Sequence, residues 1–432
     1  MIESIILLFI ILFILVTGHY IGTALALIGL AILTLYTEAP FQVIAHGLWH
    51  MLDSYTFAAI PLYFLLGEVI AVTGIAQRIF GAVAPLFSRL PGGLLQSNIG
   101  TCALFAAISG SSTATTAAIG SIAYDELTER GYASRPLIGS LAGGGTLGIL
   151  IPPSTVLILY GALQQVSVGR LFVSGIVPGI IVALSYMVYI GIHAKLKPEL
   201  IPVEDTEIIP LGKALKKSME AWPFLILMAA VLGTVVAGLA TATEAAAIGV
   251  IAALLLAAVF RRLTLKTVPD VLWGTLSTFS SLASIFIGAA ILAQAVAFTG
   301  LPDYLMTMIT EAGLSRFAVI ALVYLAYLVL GCFFEPMSMM FITLPVVYPV
   351  VTQLGFDPVW FGIVMVMVIE IAVLTPPLGM NLFVLMAVSK GRHSLMDTAM
   401  AAVPYWLILL TCLVVFTLFP GIVLFLSNKI IY

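Results

Sequence analysis

The chain has 432 residues, of which 62% are hydrophobic and 9% charged, with a formal net charge of -3. Soluble domains carry roughly a quarter charged residues, so this composition excludes a soluble protein and offers no basic surface for a nucleic-acid partner. Apolar runs near the ~20 residues that cross a lipid bilayer as a helix recur from end to end, which excludes the ~10-residue alternating strands of an outer-membrane barrel. Cys102, Cys332 and Cys412 are scattered through apolar segments and form neither a disulfide framework nor a metal spacing.

In chain order, residues 5–15 resemble a signal-peptide core but lack its positive flank and small-residue cleavage site, so they are kept in the mature chain. Residues 1–35 are apolar with a break at 18–22 (GHYIG) and form either one long span or two short ones. Residues 37–55 carry His46, Trp49, His50 and Asp53, the pattern of an amphipathic segment lying at the interface. A span with Pro61 and Glu68 follows at 56–74, then a surface helix at 77–90 that spaces Arg78 and Arg89 among apolar residues.

Residues 91–123 hold two short apolar stretches around the polar kernel SGSST at 109–113. Neither stretch spans comfortably alone. A re-entrant hairpin that dips to mid-membrane fits the lengths and leaves the hydroxyls at its tip. After a charged loop at 125–135, residues 136–163 are strongly apolar yet contain GGGTLGILIPPSTVL at 143–157. Proline removes a backbone donor and glycine relaxes the helix, so the chain opens there, and open backbone at membrane depth is tolerated only in protein or against a cavity.

A span at 171–192 leads to the only long polar connection, 193–220, with five lysines. Spans at 223–239, 243–260 and 273–298 come next, then a polar turn through Pro302, Asp303 and Arg316. A span at 317–334 leads into a second hairpin candidate at 335–351, broken by Pro336, Pro345 and Pro349. Residues 359–387 carry a second Pro-Pro break in AVLTPPLGMNL (372–382), whose LTPP echoes LIPP at 150–153, and 404–426 is the last span. Two broken helices in corresponding halves are the mark of a secondary transporter built from an internal repeat.

This order predicts an all-α polytopic membrane protein with inverted repeats, two re-entrant hairpins and two broken helices. Its parts are scaffold and interfacial helices at 1–90, a first transport repeat at 91–192 (hairpin 91–123, broken helix 136–163) and a cytoplasmic loop at 193–220. Scaffold helices and the start of the second repeat occupy 221–316, the second transport hairpin and broken helix 317–400, and the C-terminal span 401–432. Placing 77–90, 125–135, 193–220, 261–270 and 390–393 on one side gathers 14 of the 17 Lys and Arg residues there, leaving Arg170, Arg316 and Lys429. That bias makes this side cytoplasmic, and it holds only if 91–123 enters and leaves on the same face.

Ser109, Ser111, Ser112 and Thr113 offer hydroxyl oxygens beside Gly110, whose missing side chain leaves carbonyls accessible. Facing the opened segment Gly145, Thr146, Gly148, Pro152, Pro153 and Ser154, they can supply the several oxygens a hard cation such as Na+ requires, from backbone and hydroxyls together. The amide ends of the half-helices after each break suit a carboxylate. The second half mirrors this set with Glu335, Ser338, Thr375, Pro376, Pro377, Gly379 and Asn381. Close helix packing through small residues is the structural alternative for the Ser/Gly cluster, and helix capping the alternative for Glu335. Glu244 is either a coupling acid or a carboxylate at a helix N-terminus, and Glu68 and Glu370 are mid-span acids with a structural or proton-carrying role.

Two rival functions remain. A proton-coupled organic-anion transporter working without partners keeps Glu68, Glu244 and Glu370 in play. An intramembrane serine protease is a remote alternative: residues 110–113 match its G-x-S-x pattern, but His19, His46, His50, His193 and His393 all fall in breaks, loops or interfacial segments. Neither an HExxH nor a Walker A motif is present, so the chain is read as a non-enzyme.

The runs SGSSTATTAAIG (109–120), GTLGILIPPS (145–154), TATEAAAIG (241–249) and LTPPLGMNLFV (374–384) resemble the large membrane subunit of tripartite ATP-independent periplasmic (TRAP) transporters, the DctM family. The similarity covers essentially the whole chain, and four motifs in order make it specific. It implies an elevator-type transporter of a bacterial inner membrane that imports organic acids such as dicarboxylates or sialic acid by Na+ symport. It also implies a periplasmic substrate-binding protein and a small four-helix membrane subunit as partners, with no cofactor other than the coupling Na+. Carried over residue by residue, one cation site falls on Ser109, Ser111, Ser112 and Thr113 with Gly145. A second falls on Thr375 and Gly379 beside the Glu335 hairpin, and the substrate falls between the two tips.

Overall fold

The apolar runs wind into helices because, in lipid, only a helix or a closed barrel satisfies every backbone group internally. The computed structural model describes residues 21–430 apart from 74, 201, 203–209 and 378. Among these residues no strand forms, and seven helices are long and apolar enough to cross a membrane. The question of one or two spans before residue 36 falls largely on residues outside the described ones. Within them, the first helix is α1 (Ile21–Tyr36).

The first quarter continues with α2 (Pro40–Leu52), α3 (Tyr55–Thr73) and α4 (Ile75–Phe87). α2 is bent 59° from α3 and exposes Phe41, Trp49 and Leu52, which fits a helix lying at the interface. The interior of α4 packs Ile79, Phe80 and Val83 into the protein, and the Arg78 guanidinium stacks 4.2 Å from the Phe260 ring centroid.

Two series of elements then follow the same order. In the first, α5 (Leu94–Ser109) and α6 (Ser112–Glu129) form a hairpin, followed by α7 (Ser134–Leu150) and α8 (Thr155–Gln164), which are separated by a four-residue opening, and by the long α9 (Val168–Leu196). Between the series stand α10 (Leu211–Val236, with a π turn at Ala229–Gly233), α11 (Ala242–Val259), α12 (Thr267–Thr299) and α13 (Leu301–Glu311). The second series is α14 (Arg316–Leu330) and α15 (Pro336–Gln353), then α16 (Pro358–Ala372) and α17 (Met380–Val388) around the second opening, and α18 (Leu395–Leu418). A short α19 (Pro420–Leu424) closes the chain.

Three boundaries differ from the sequence expectation. The second hairpin is not 335–351: α15 runs unbroken through Pro345 and Pro349, and the turn lies earlier, between Leu330 and Pro336. The segment read as a separate span, 317–334, is therefore the hairpin's first arm. Prolines inside a membrane helix are tolerated where neighbours cover the freed carbonyls, so they were poor markers of the turn. The first hairpin's second arm extends to Glu129 through the charged stretch read as a loop, helped by the Glu126–Arg130 pair at 2.9 Å one turn apart. Finally, α18 starts at Leu395, where Ser394 and Asp397 form a capping box, and carries Pro404 in its interior.

The two opened spans lie at the centre. α16 is buried from Val359 through Ala372 and α7 from Leu137 through Leu150, as expected for helices apolar on every side. Small residues let their neighbours approach: a Cβ at Gly143 would strike Tyr405, and one at Gly144 would strike Cys102. The α1–α12 pair uses the same device, with Gly22 against Gly288.

Candidate functional site

The first hairpin turns at Gly110, where φ is +57°, the left-handed conformation that glycine adopts without steric penalty. Ser111 then caps α6, its hydroxyl accepting from the Ala114 amide at 3.3 Å. The tip is fastened to the first opened span: the Gly110 carbonyl accepts from the Thr155 amide at 3.2 Å and from the Thr155 hydroxyl at 2.8 Å. Ser109 and Thr115 hydroxyls pair at 2.7 Å, and those of Ser111 and Thr113 at 3.3 Å. Residues 109–113 thus form a compact knot of oxygens beside the Pro-Pro break.

Both breaks carry a cis peptide, Pro152–Pro153 and Pro376–Pro377. With no N–H on either proline, the carbonyls at the end of the preceding half-helix lose donors, and the chain must restart. Ser154, fully buried, restarts it as the N-cap of α8 by accepting from the Leu157 amide at 3.4 Å. At the second break Gly379 takes φ +42°, and no side chain caps α17. Pro152 and Pro153 are buried whereas Pro377 is exposed, so the second break is the more open one.

The second hairpin tip meets this second break. Cys332 Sγ lies 3.4 Å from the Pro376 carbonyl, and a Cβ at Gly331 would overlap Ala372. Glu335 is the N-cap of α15, its carboxylate accepting from the amides of Met337 at 3.1 Å and Ser338 at 3.3 Å. The Glu335→Ala variant is expected to lose about 1 kcal/mol of stability, while Glu335→Gln, which keeps an acceptor, loses less. Thermal unfolding of the two purified proteins measures this, and equal midpoints for Ala and wild type would remove the capping role.

The two halves join at Ser112. Its hydroxyl lies 3.0 Å from the Gly145 carbonyl and 3.0 Å from Glu370 Oε2, either of which can take its single proton, and it accepts from Asn381 Nδ2 at 2.7 Å. One side chain of the first hairpin therefore touches the first opened span and both segments of the second. Glu370 and Asn381 are fully buried. Among the described residues neither Asn381 Oδ1 nor Glu370 Oε1 has a hydrogen-bond partner of good geometry, although the Ile149 amide lies near the Glu370 carboxylate. Gly148 completes the contact, since a Cβ there would stand 2.5 Å from the Ser111 carbonyl oxygen and 2.7 Å from Ser112 Cα.

The structure thus brings together Ser109, Gly110, Ser111, Ser112, Thr113, Gly145, Gly148, Pro153, Glu370 and Asn381, and groups Glu335, Pro376, Pro377 and Gly379 at the second tip. Thr146 is directed elsewhere, its hydroxyl donating to the Gly143 carbonyl at 2.7 Å and pairing with Tyr186 of α9 at 3.1 Å. Thr375 is bound to its own helix at Ile371 and accepts from Trp406 Nε1 at 3.1 Å. Ser338 is buried, and its hydroxyl has no hydrogen-bond partner among the described residues.

Two of the three acids stand apart. Glu244 forms an exposed capping box with Thr241 at the start of α11. Glu68 lies against Gly274 near the beginning of α12, between helices outside the two series and well short of mid-span. Thr155, Cys332 and Trp406 escaped the sequence reading. Thr155 adjoins the Pro-Pro motif and could have been included, whereas nothing local to Cys332 or Trp406 marks them.

Where the Lys and Arg residues gather, Lys390 and Asp125 pair at 2.9 Å and Tyr124 meets His393 at 2.9 Å, tying α6 to the turn after α17. The Lys390 hydrogen bond holds the Asp125 carboxyl below the usual range. Among the described residues no group of three or more His, Cys, Asp or Glu is placed to hold a metal.

The sequence profile described as "Tripartite ATP-independent periplasmic transporter, DctM component" matches residues 8–422. The C4-dicarboxylate TRAP transporter large permease protein DctM of Pseudomonas aeruginosa is 36% identical over 406 residues, covering 94% of each chain. The sialic acid TRAP transporter large permease protein SiaM of Vibrio cholerae is 30% identical over 368 residues, covering 85% of each. Among solved structures, the YdaH transporter of Alcanivorax borkumensis matches with a TM-score of 0.63 at 14% identity over 89% of each chain, a likeness of fold alone. With seven described helices able to cross a membrane and relatives from bacteria, the protein is a multi-pass protein of a bacterial inner membrane. The chain belongs to the DctM family, the large permease components of tripartite ATP-independent periplasmic transporters.

Proposed function

We propose that this permease imports an organic acid by Na+ symport, receiving it from a periplasmic binding protein and working with a small four-helix membrane subunit. The observation that carries this reading is the meeting of both opened spans at Ser112, with unpaired buried oxygens beside it. The first Na+ would sit among the oxygens of Ser109, Ser111, Ser112, Thr113 and Gly145, and the second near Thr375 and Gly379 below the other tip. The substrate would lie between the tips. The uncapped N-terminus of α17 beside exposed Pro377 offers amides and partial positive charge to a carboxylate. The named cargoes of the two relatives above, C4-dicarboxylates and sialic acid, are both carboxylic acids.

In this mechanism the two hairpins and opened spans travel as one body against α1–α4 and α10–α13, as inverted repeats of an elevator. The hydrogen bonds that cross between the halves at Ser112 and at Lys390–Asp125 favour a single body. Replacing Na+ by choline at constant pH, in vesicles holding the complete complex, is expected to lower uptake by about tenfold or more, the effect of losing ~1.4 kcal/mol of coupling. Uptake that survives in choline but collapses with the pH gradient would favour proton coupling. That second reading rests on the Glu370 carboxyl, which is buried at mid-span without a cationic partner among the described residues.

A further inference from the structure

Away from the tips, a cavity of about 410 Å³ opens where the start of α7, the end of α9 and α18 converge. Arg135, His193 and Lys197 line it, and the charges of Arg135 and Lys197 both act on the His193 ring, with exposed Glu199 the one acid among the described residues that also reaches it. Its floor is aromatic: Tyr189 stacks on His193 at 5.6 Å and packs edge-on against Tyr405 at 5.4 Å. Ala133 provides no side chain to cap α7, so the helix end adds its partial positive charge to the same place. Arg135 is exposed and, among the described residues, its one hydrogen bond is a 3.4 Å contact to the Met400 carbonyl, leaving most of its donors to the cavity mouth.

Beside the cavity, the outer side of α9 is apolar. Along α9, Ile180, Leu184, Val188, Ile192 and Leu196 recur every four residues and are 51%, 54%, 59%, 54% and 74% exposed. Sixteen residues of helix rise about 24 Å, long enough for an acyl chain to lie along the stripe. On α18, Met400, Val403 and Leu407 are exposed as well. A soluble anion would use the cationic mouth and have no use for the stripe, whereas a molecule with an anionic head and apolar tails matches both.

We propose that this cavity holds the phosphate headgroup of an anionic phospholipid from the inner leaflet, with its tails along the α9 stripe. The mouth lies on the side that the Lys/Arg bias makes cytoplasmic, where anionic headgroups meet basic pockets between helices. The lipid would travel with α7, α9 and α18, bracing the end of the first opened span against the headgroup layer.

The test is native mass spectrometry of the full-length protein, delipidated and then offered phosphatidylglycerol or phosphatidylcholine. Phosphatidylglycerol is expected to be retained about tenfold more, and the Arg135→Gln/Lys197→Gln double variant to lose that preference, since each surface charge contributes about 1 kcal/mol. Lys216→Gln, a basic residue away from the cavity, should retain the preference. Should the double variant fail to insert, Lys197→Gln alone, an exposed side chain, tests the same point. Equal retention of the two lipids, an unchanged double variant, or full displacement of phosphatidylglycerol by excess inorganic phosphate would each overturn the proposal, the last by revealing a soluble-anion site.

Discussion

Uptake by the Gly148→Ala variant is expected to fall by about 100-fold while the protein still inserts and folds, the upper end of what overpacking by one methyl costs. The reason lies in what the methyl would meet. A Cβ at this position stands 2.5 Å from the Ser111 carbonyl oxygen, 2.7 Å from Ser112 Cα and 2.8 Å from the Ser111 carbonyl carbon, all backbone of the first hairpin tip. Backbone cannot rotate aside as a side chain can, so the tip must lift off α7 and carry Ser112 away from Gly145, Glu370 and Asn381. The comparison variant is Gly212→Ala, where a Cβ meets nothing within 4 Å, and it should transport normally. Measuring uptake and surface abundance for both separates a transport defect from an insertion defect. Normal uptake by a well-inserted Gly148→Ala protein would mean that tight seating of the tip on α7 is not needed for transport.

The second large effect concerns Glu370. Glu370→Ala removes an acceptor of the Ser112 hydroxyl inside a fully buried network and is expected to reduce uptake by about tenfold or more, from a loss of ~1–3 kcal/mol. Glu370→Gln keeps the shape and an acceptor oxygen toward Ser112, so under Na+ coupling it should retain uptake within about twofold, a difference below 0.5 kcal/mol. The physical basis is that a carboxylate isolated at mid-span is costly and is best used through its hydrogen bonds, not its charge. Uptake driven by Na+ and by pH gradients, measured for both variants, distinguishes the outcomes. A folded Glu370→Gln protein that loses uptake entirely would assign the carboxyl a proton- or cation-carrying role and revive the proton-coupled reading.

Much of the architecture was readable because membrane helices obey local rules. Apolar length located the spans, and the Pro-Pro motifs at 152–153 and 376–377 located both openings, because proline's missing donor acts within one turn of itself. The SGSST kernel located the first tip, since Gly110 and the Ser111 cap are local turn chemistry. The second tip was misplaced for the same reason in reverse. Pro345 and Pro349 look like breaks in isolation, yet in the fold they lie inside α15, while the turn before Pro336 carries Gly331 and Cys332, which draw no attention by residue type.

Chain chemistry alone therefore established the helical membrane fold, both openings and the first hairpin. Partnership across the halves came from the three-dimensional packing. Ser112 and Glu370 are 258 positions apart, and no periodicity or motif could pair them, because their contact depends on how two buried, opened spans cross. The same packing sorted three similar-looking acids into different places: Glu244 at an exposed helix cap, Glu68 against Gly274 near the end of a span, and Glu370 in the centre. An acid's role follows from its surroundings, and in a polytopic protein those are supplied by helices remote in sequence.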